Sequence, residues 1–245
     1  MHKSIVEYMW LDSNKNFITS INIINQSNTI PDLYYHKNII KPCFIVKDYY
    51  REANSYFALC EIYDLNNNPL DSRNNSNIFN TINYDKMQDD NEPLFIFAQE
   101  YYFDYSNIYN QIITEEHLKV CLHADINIIK STIGKFIIGP CYGINASDQF
   151  LIAKFLLERI ANYYNLQIIY GNISINFSSK ESRYSDGIYL IYEYIKKLEF
   201  STSKNINLKI PMETLQNNYG YLEIYKLNNI DPYFVTSYIY KICCL

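Results

Sequence analysis

Glycine is scarce in this sequence, with 6 in 245 residues, against the ~7% usual in proteins. Loops that cradle phosphate groups need glycine for close backbone approach, and there is almost none here to build one. Basic residues are not in excess: 21 Lys and Arg face 26 Asp and Glu, a net charge of −5, which gives no reason to expect a nucleic-acid partner. No apolar run approaches the length of a membrane span, and the opening MHKSIVEYMW lacks a signal-peptide layout. A cytoplasmic protein with no membrane or nucleic-acid partner is expected. The six cysteines (Cys43, Cys60, Cys121, Cys141, Cys243 and Cys244) show no CxxC spacing, and no His lies near them at finger spacing. Buried reduced thiols are therefore expected rather than a metal site.

What is present is a hydrophobic content of 48%, enough to bury a sizeable core and to exclude global disorder. The 26 tyrosines come with an abundance of Asn and Ile that reads as codon bias from an AT-rich genome. Without interleaved basic residues they suit core and interface packing better than base stacking.

Strands are expected over Ile5–Leu11 and Phe17–Ile24 with a turn at Ser13-Asn14-Lys15, then over Cys43–Val46 and Tyr56–Tyr63. Together they make an N-terminal sheet of about four strands. Residues 65–92 are Asn-rich and read as a boundary loop. Beyond it come a strand over Leu94–Phe103 and a helix over Thr114–Ala124, with Thr114 as cap and Glu115 and Glu116 in the first turn. Phe136-Ile137-Ile138 reads as a buried strand ending at Gly139-Pro140. Asn145 and Ser147 are good caps for the helix that follows, with Asp148 in its first turn. Ile152, Phe155, Leu156, Ile160 and Tyr163 form its buried face, and Lys154, Glu158 and Asn162 lie opposite. Strands over Leu166–Tyr170 and Ile173–Phe177 precede a helix over Asp186–Phe200, buried through Ile188, Ile191, Tyr192, Ile195 and Leu198. Asp231-Pro232 is an N-cap with Pro at the first helical position, opening a helix to Cys244. The fold class is α+β in two parts, residues 1–88 and 89–245.

The block IGPCYGINASDQFLIAKFLLERI, residues 138–160, resembles the core of the glutamine synthetase family, with its Ile-Gly-Pro turn and Gly-Ile-x-x-x-Asp-Gln helix start. Further islands align in order. They are Glu7–Asp12, Lys41-Pro42 through Asp48, Leu59–Asp64, Gln99-Glu100-Tyr101, Leu118–Ala124, Asn176–Ser179, Ile210-Pro211, Gly220–Glu223 and Asp231-Pro232-Tyr233. The resemblance covers nearly the whole chain. It implies a small β-grasp domain followed by a shortened remnant of the family's catalytic domain. For the family it implies ATP-dependent ligation of ammonia to glutamate, with Mg²⁺ or Mn²⁺ held on carboxylates, and rings whose sites lie between subunits.

Against that chemistry the sequence is poor. Where the family has Glu-x-Glu, this chain has Ala98-Gln99-Glu100. The acid before the Ile-Gly-Pro turn is Lys135, another falls in the shortened Ile128–Ser131 segment, and a site histidine is Ser174. Glu223 survives, but the Arg pair after it is Tyr225-Lys226, and the Arg after Ile210-Pro211 is Met212. The ammonium-site Asp aligns with His36, and the segment between Phe200 and Asn207, which carries a substrate Arg and a flap Glu in the family, is essentially deleted.

Activating a carboxylate with an anionic triphosphate needs divalent metals and cationic groups on the moving phosphoryl. The chain is therefore expected to be a degenerate homologue without ligase activity, needing neither metal nor ATP. The remnant site positions are Glu100, Glu223, His36 and Asn176. Two readings stay open for Glu100 and Glu223: weak binding of one cation, or neutralisation by Lys135, which is preferred. His36 as a new general base is disfavoured, since a lone His in a loop is usually a surface residue. His117 and His123, six residues apart on one helix, fall on different faces rather than forming a metal pair. Three classes remain open: a structural or assembly protein that self-associates or binds protein partners, a regulatory module retaining a nucleotide or amino-acid ligand, and an active ligase with a rebuilt site.

Overall fold

The computed structural model describes residues 3–25, 29–51, 54–71, 73, 91–104, 109–201, 207–217, 219–228 and 230–244. Most of the Asn-rich 65–92 stretch and of the short segment between Phe200 and Asn207 lies outside them. The chain divides into two units, Met1–Asn75 with Lys119–Ile126, and Ser76–Leu118 with Asn127–Leu245. The sequence places the boundary at residue 88 and does not assign 119–126 to the first unit.

The first unit is a five-stranded mixed sheet in the order β2-β1-β5-β4-β3. Its strands are β1 (Lys3–Leu11), β2 (Phe17–Asn25), β3 (Leu33–Tyr35), β4 (Asn38–Lys47) and β5 (Ser55–Asp64). β1 and β2 form the expected hairpin, whose turn is held by Asp12 accepting from the Asn14 and Asn16 amides at 2.8 Å each. β5 returns to lie parallel to β1. Strand β3, unforeseen because it has only three residues, raises the count from four to five. Alternate positions Val6, Tyr8, Trp10, Ile40, Ala58 and Cys60 close one core, as period-two patterning requires.

The second unit is a six-stranded sheet ordered β10-β11-β9-β6-β8-β7. Its strands are β6 (Leu94–Phe103), β7 (Ile128–Thr132), β8 (Lys135–Tyr142), β9 (Ile168–Ser178), β10 (Asn207–Lys209) and β11 (Leu222–Leu227). Its helices are α2 (Gly143–Tyr163), α3 (Ile188–Ser201), α4 (Met212–Asn217) and α5 (Pro232–Cys244), and α1 (Tyr109–His123) runs across the division between the units. β6 sits between β9 and β8 and alternates along its whole length. Phe95, Phe97, Tyr101 and Phe103 are buried on one face, and Phe97 stacks on Phe150 of α2 at 4.7 Å.

Several boundaries differ from the sequence reading, each for a physical reason. α1 begins at Tyr109, so Thr114 is not its cap. Thr114 is buried within the helix, and its hydroxyl donates to the Asn110 carbonyl one turn back, the usual recourse of a mid-helix Thr. β8 does not stop at Gly139-Pro140 but runs on to Tyr142, its register against β6 shifting between Phe95 and Phe97. α2 therefore starts at Gly143, and Asn145, Ser147 and Asp148 lie inside it. No side chain caps its start, and the Gly143 amide donates to Pro93 O at 3.3 Å. Leu166–Tyr170 and Ile173–Phe177 fall almost wholly within one continuous strand, since Gly171-Asn172 is an interruption in composition only. Tyr163 is exposed at the frayed end of α2, and on α3 Tyr194 is buried where Tyr192 was expected. The Asp231 cap is present, its carboxylate accepting from the Tyr233 and Phe234 amides at 3.0 and 3.3 Å.

Gly139 is the tightest backbone position in the second unit's sheet. Its φ is +113°, and a Cβ there would lie 2.5 Å from the Phe95 carbonyl oxygen. Gly139→Ala is expected to destabilise the fold by on the order of 3 kcal/mol, against about 1 kcal/mol for Asp231→Ala, which removes only a cap. Urea denaturation of the two variants side by side checks the ranking.

Candidate functional site

Residues opposite one another across antiparallel strands present their side chains on the same face, so the register of the second sheet locates every remnant position. Glu223 on β11 faces Asn176 on β9, and Asn176 faces Ile96 on β6. One row further, Ala98 faces Ser174 on one side and Ile137 on the other, and beyond it Glu100 faces Lys135. Ala98, Glu100, Lys135, Ser174, Asn176 and Glu223 thus share the face turned away from the Phe97–Phe150 stack. The positions singled out from the sequence do converge on one surface, except His36. That residue occupies the β3–β4 turn of the first unit, exposed, with φ +54° and its ring 4.4 Å from that of Tyr35.

Within that face the charges are arranged differently from the sequence reading. Lys135 stands opposite Glu100 in register, but among the described residues no ion pair joins it to Glu100 or Glu223. Glu223 pairs instead with Lys209 on β10, the neighbour on its other side, at 3.1 Å. Glu100 accepts a hydrogen bond from Asn172 at 3.3 Å. Lys209 was overlooked because β10 is a three-residue strand with no pattern of its own.

The two carboxylates are set apart by the sheet itself. Two strand spacings place them roughly 10 Å apart across the sheet, and four residues place them about 13 Å apart along it. That is too far for one ion at ~2.1 Å from each, and a hard cation needs several such oxygens. Among the described residues no three His, Cys, Asp or Glu side chains gather where a metal ion would be held. The donor set does not fit Mg²⁺ or Mn²⁺.

The same face opens into a cleft of about 310 Å³. Leu94, Ile96 and Pro140 give it an apolar floor, and Asn176, Arg183 and Thr214 bring polar groups to its wall. Asn176 lines this cleft, and its side-chain oxygen is buried with no hydrogen-bond partner among the described residues, an uncommon and costly state for an acceptor. Arg183 is anchored by Ser178 and by the Glu92 carboxylate, which it meets at 3.0 Å. Lys180 and Arg183 together hold the Glu92 carboxyl below its usual range. Neither Arg183 nor Thr214 carries a sequence signal, since the 3₁₀ turn Glu181–Arg183 and α4 are both too short to show periodicity.

His117 and His123 divide as their spacing requires. His123 is exposed and packs edge-on against Tyr49. His117 is fully buried: Nε2 lies 2.9 Å from the Ala153 carbonyl and so carries the proton, while Nδ1 accepts from Ser131 at 3.1 Å. Burial drives its pKa down to about 4.

No family model matches this chain. Individual proteins do. A protein described as a putative glutamine synthetase from Acanthamoeba polyphaga mimivirus is 26% identical over 341 aligned positions, covering 98% of this chain and 94% of that protein. Glutamine synthetase of Agaricus bisporus is 25% identical over 82% of this chain and 77% of its own length. In structure, Plasmodium falciparum glutamine synthetase, determined by cryo-EM, matches 96% of this chain and 70% of its own with a TM-score of 0.63 at 11% identity, a likeness of fold. Over nearly its whole length the chain is similar to proteins named glutamine synthetase. It is the shorter partner in that match: the alignment to the viral relative is longer than the 245 residues of this chain, so whole stretches of that relative have no counterpart in it.

The buried imidazole gives a stability signature. The unfolded chain protonates His117 near 6.5 and the folded chain only near 4, so its contribution is intact above pH 6.5 and is lost as pH falls toward 4. The loss amounts to about 3 kcal/mol. Urea midpoints measured between pH 7 and pH 4 should fall steeply for the native protein and less steeply for His117→Gln.

Proposed function

We propose that this chain is a glutamine synthetase relative without ligase activity, a pseudoenzyme that keeps the fold as a structural, assembly or regulatory binding protein. One observation carries the reading. The sheet face on which the family would gather metal-binding acids bears Ala98, Ser174 and Lys135. Its remaining carboxylates are dispersed, Glu223 being tied to Lys209 and Glu100 to Asn172. Each lost electrostatic group in such a site is worth roughly 10²-fold or more in rate, and here the losses coincide. Mg²⁺, Mn²⁺ and ATP are accordingly not proposed as cofactors. A cytoplasmic location and protein partners or self-association complete the proposal. The described helices include none long and apolar enough to cross a membrane.

The cleft beside Asn176 favours the regulatory form of this reading. A buried acceptor without a donor, over an apolar floor, suits a small ligand offering an N–H or O–H group. A residual nucleotide or an amino acid meets that description without any metal.

The purified chain, given ATP, Mg²⁺ or Mn²⁺, glutamate and ammonium, is expected to form no glutamine. Thermal-shift titration with ATP, glutamate or glutamine should raise the melting midpoint without metal for at least one of them, and Asn176→Ala should remove that shift. ATP-dependent glutamine formation that disappears in Glu100→Gln and Glu223→Gln would overturn the proposal.

A further inference from the structure

The two sheets have four outer edges, and three of them are protected. β3 and β10 are three residues long, and β10 carries Lys209. β7 is five residues long and carries Lys130. The fourth, β2, is nine residues of FITSINIIN, with no charge and no proline. Native sheets usually blunt an exposed edge with a short strand, a lysine or a proline, because an open edge is a template for another strand. β2 has none of these devices. Its outward side chains include Ile21 and Ile23, 55% and 68% exposed, two apolar residues in line on one face of an edge strand. The nearest acid on that face is Glu7, opposite Ile21 on β1. It is neutralised by Arg51 at 2.6 Å, and the exposed Lys3 lies at the end of the same face, opposite Asn25, so the stretch around the two isoleucines presents no net charge.

We propose that β2 is a homodimer interface, pairing antiparallel with β2 of a second copy across a two-fold axis through Asn22. The sequence of the strand selects this occupant. Antiparallel pairing centred on Asn22 sets Ile21 against Ile23 of the partner strand and Ile23 against Ile21, so both exposed isoleucines are covered twice by the same operation. Thr19 then meets Asn25, and Ser20 meets Ile24. Moving the axis one residue, to Ile21, shifts the pairing by two, turns Ile21 onto itself and leaves Ile23 facing Thr19, a poorer match, so the apolar pattern fixes the register. An isologous contact of this kind closes at two copies and needs no complementary surface elsewhere on the molecule. A charged foreign peptide would find no counter-charge on β2, whereas a second uncharged β2 meets no repulsion. At ~3.4 Å per residue the strand is about 30 Å long. Main-chain hydrogen bonds along it and two isoleucine pairs are the contacts of a reversible dimer.

Sedimentation equilibrium of the full chain tests this. The native protein is expected to pass from monomer to dimer as concentration rises. Ile21→Lys with Ile23→Lys places lysine opposite lysine twice in the proposed register, and should raise the dissociation constant at least about tenfold. The thermal midpoint of the dilute monomer should be unchanged, because both sites are already exposed. Ile21→Glu with Ile23→Glu should behave alike alone, and an equimolar mixture of the two variants should recover a heterodimer. A chain that is monomeric throughout, an assembly whose strength is indifferent to the lysine variant, or a mixture that fails to pair would each overturn the proposal.

Discussion

Everything in the second unit depends on the two-sided alternation of β6. Paired on both edges, the strand has no freedom to rotate, so each of its residues is committed to one face. Phe95, Phe97, Tyr101 and Phe103 go to the helices, and Ile96, Ala98 and Glu100 go to the surface that carries the remnant site. Gln99 shows how strict the commitment is. It is wholly buried on the helix side, and its amide nitrogen reaches the Glu100 and Gly171 carbonyls at 2.7 and 3.1 Å, where the register against β9 slips. The side chain satisfies backbone groups that the bulge removes from the ladder. Because the same strand bears both core and remnant positions, the exposed Glu100 can change without touching the packing that holds the sheet, whereas the buried Ala98 has little room to do so.

Buried acids elsewhere in the unit are managed without any ion. Asp148, inside α2, accepts from the Tyr233 hydroxyl at 2.7 Å, and next to it Ser147 meets Thr236, so that α2 and α5 are joined by buried polar contacts. Glu158 accepts from Tyr170 at 3.0 Å, with the Lys154 ammonium 4.1 Å above the same ring. Burial raises the Glu158 carboxyl and lowers the Lys154 ammonium, each tempered by the other's charge. Part of the tyrosine wealth therefore has a structural use: a phenol has the size to fill a core and a hydroxyl to satisfy the polar group beside it. The expectation of core packing holds for Tyr8, Tyr101 and Tyr240, all fully buried.

The legible parts of the fold were those with a long period. β6 is found at the limits its alternation predicts, and the buried face of α2 is correct at Ile152, Phe155, Leu156 and Ile160. The Asp231-Pro232 start of α5 was legible because a cap and an N1 proline are local chemistry. What failed were judgements of where an element begins when tertiary pairing overrides the local signal. Gly139-Pro140 reads as a stop, yet β8 continues because β6 pairs with Cys141 and Tyr142 beyond it, whereas β7 pairs only as far as Ile138. The sheet residues singled out from the sequence share one face, but the ion pair on that face is not the expected one. Lys135 and Glu100 are register neighbours, whereas the ion pair forms between Glu223 and Lys209, whose proximity follows from the β10–β11 pairing and from no pattern in either segment.

That misassignment bears on how such a site stays folded. Acids clustered on a sheet face repel one another and resist ionising together unless a cation sits among them. In this chain, Ala98 and Ser174 occupy the middle of the face, and the carboxylates on either side have each found a local partner. Lys135 need not act as a substitute ion, because no cluster is left for it to neutralise. With the two carboxylates apart, the strands that carry them are held in place by their register with β8 and β9. Among the described residues, the buried Asn176 side-chain oxygen beside the cleft is an acceptor on this face that the protein itself does not satisfy.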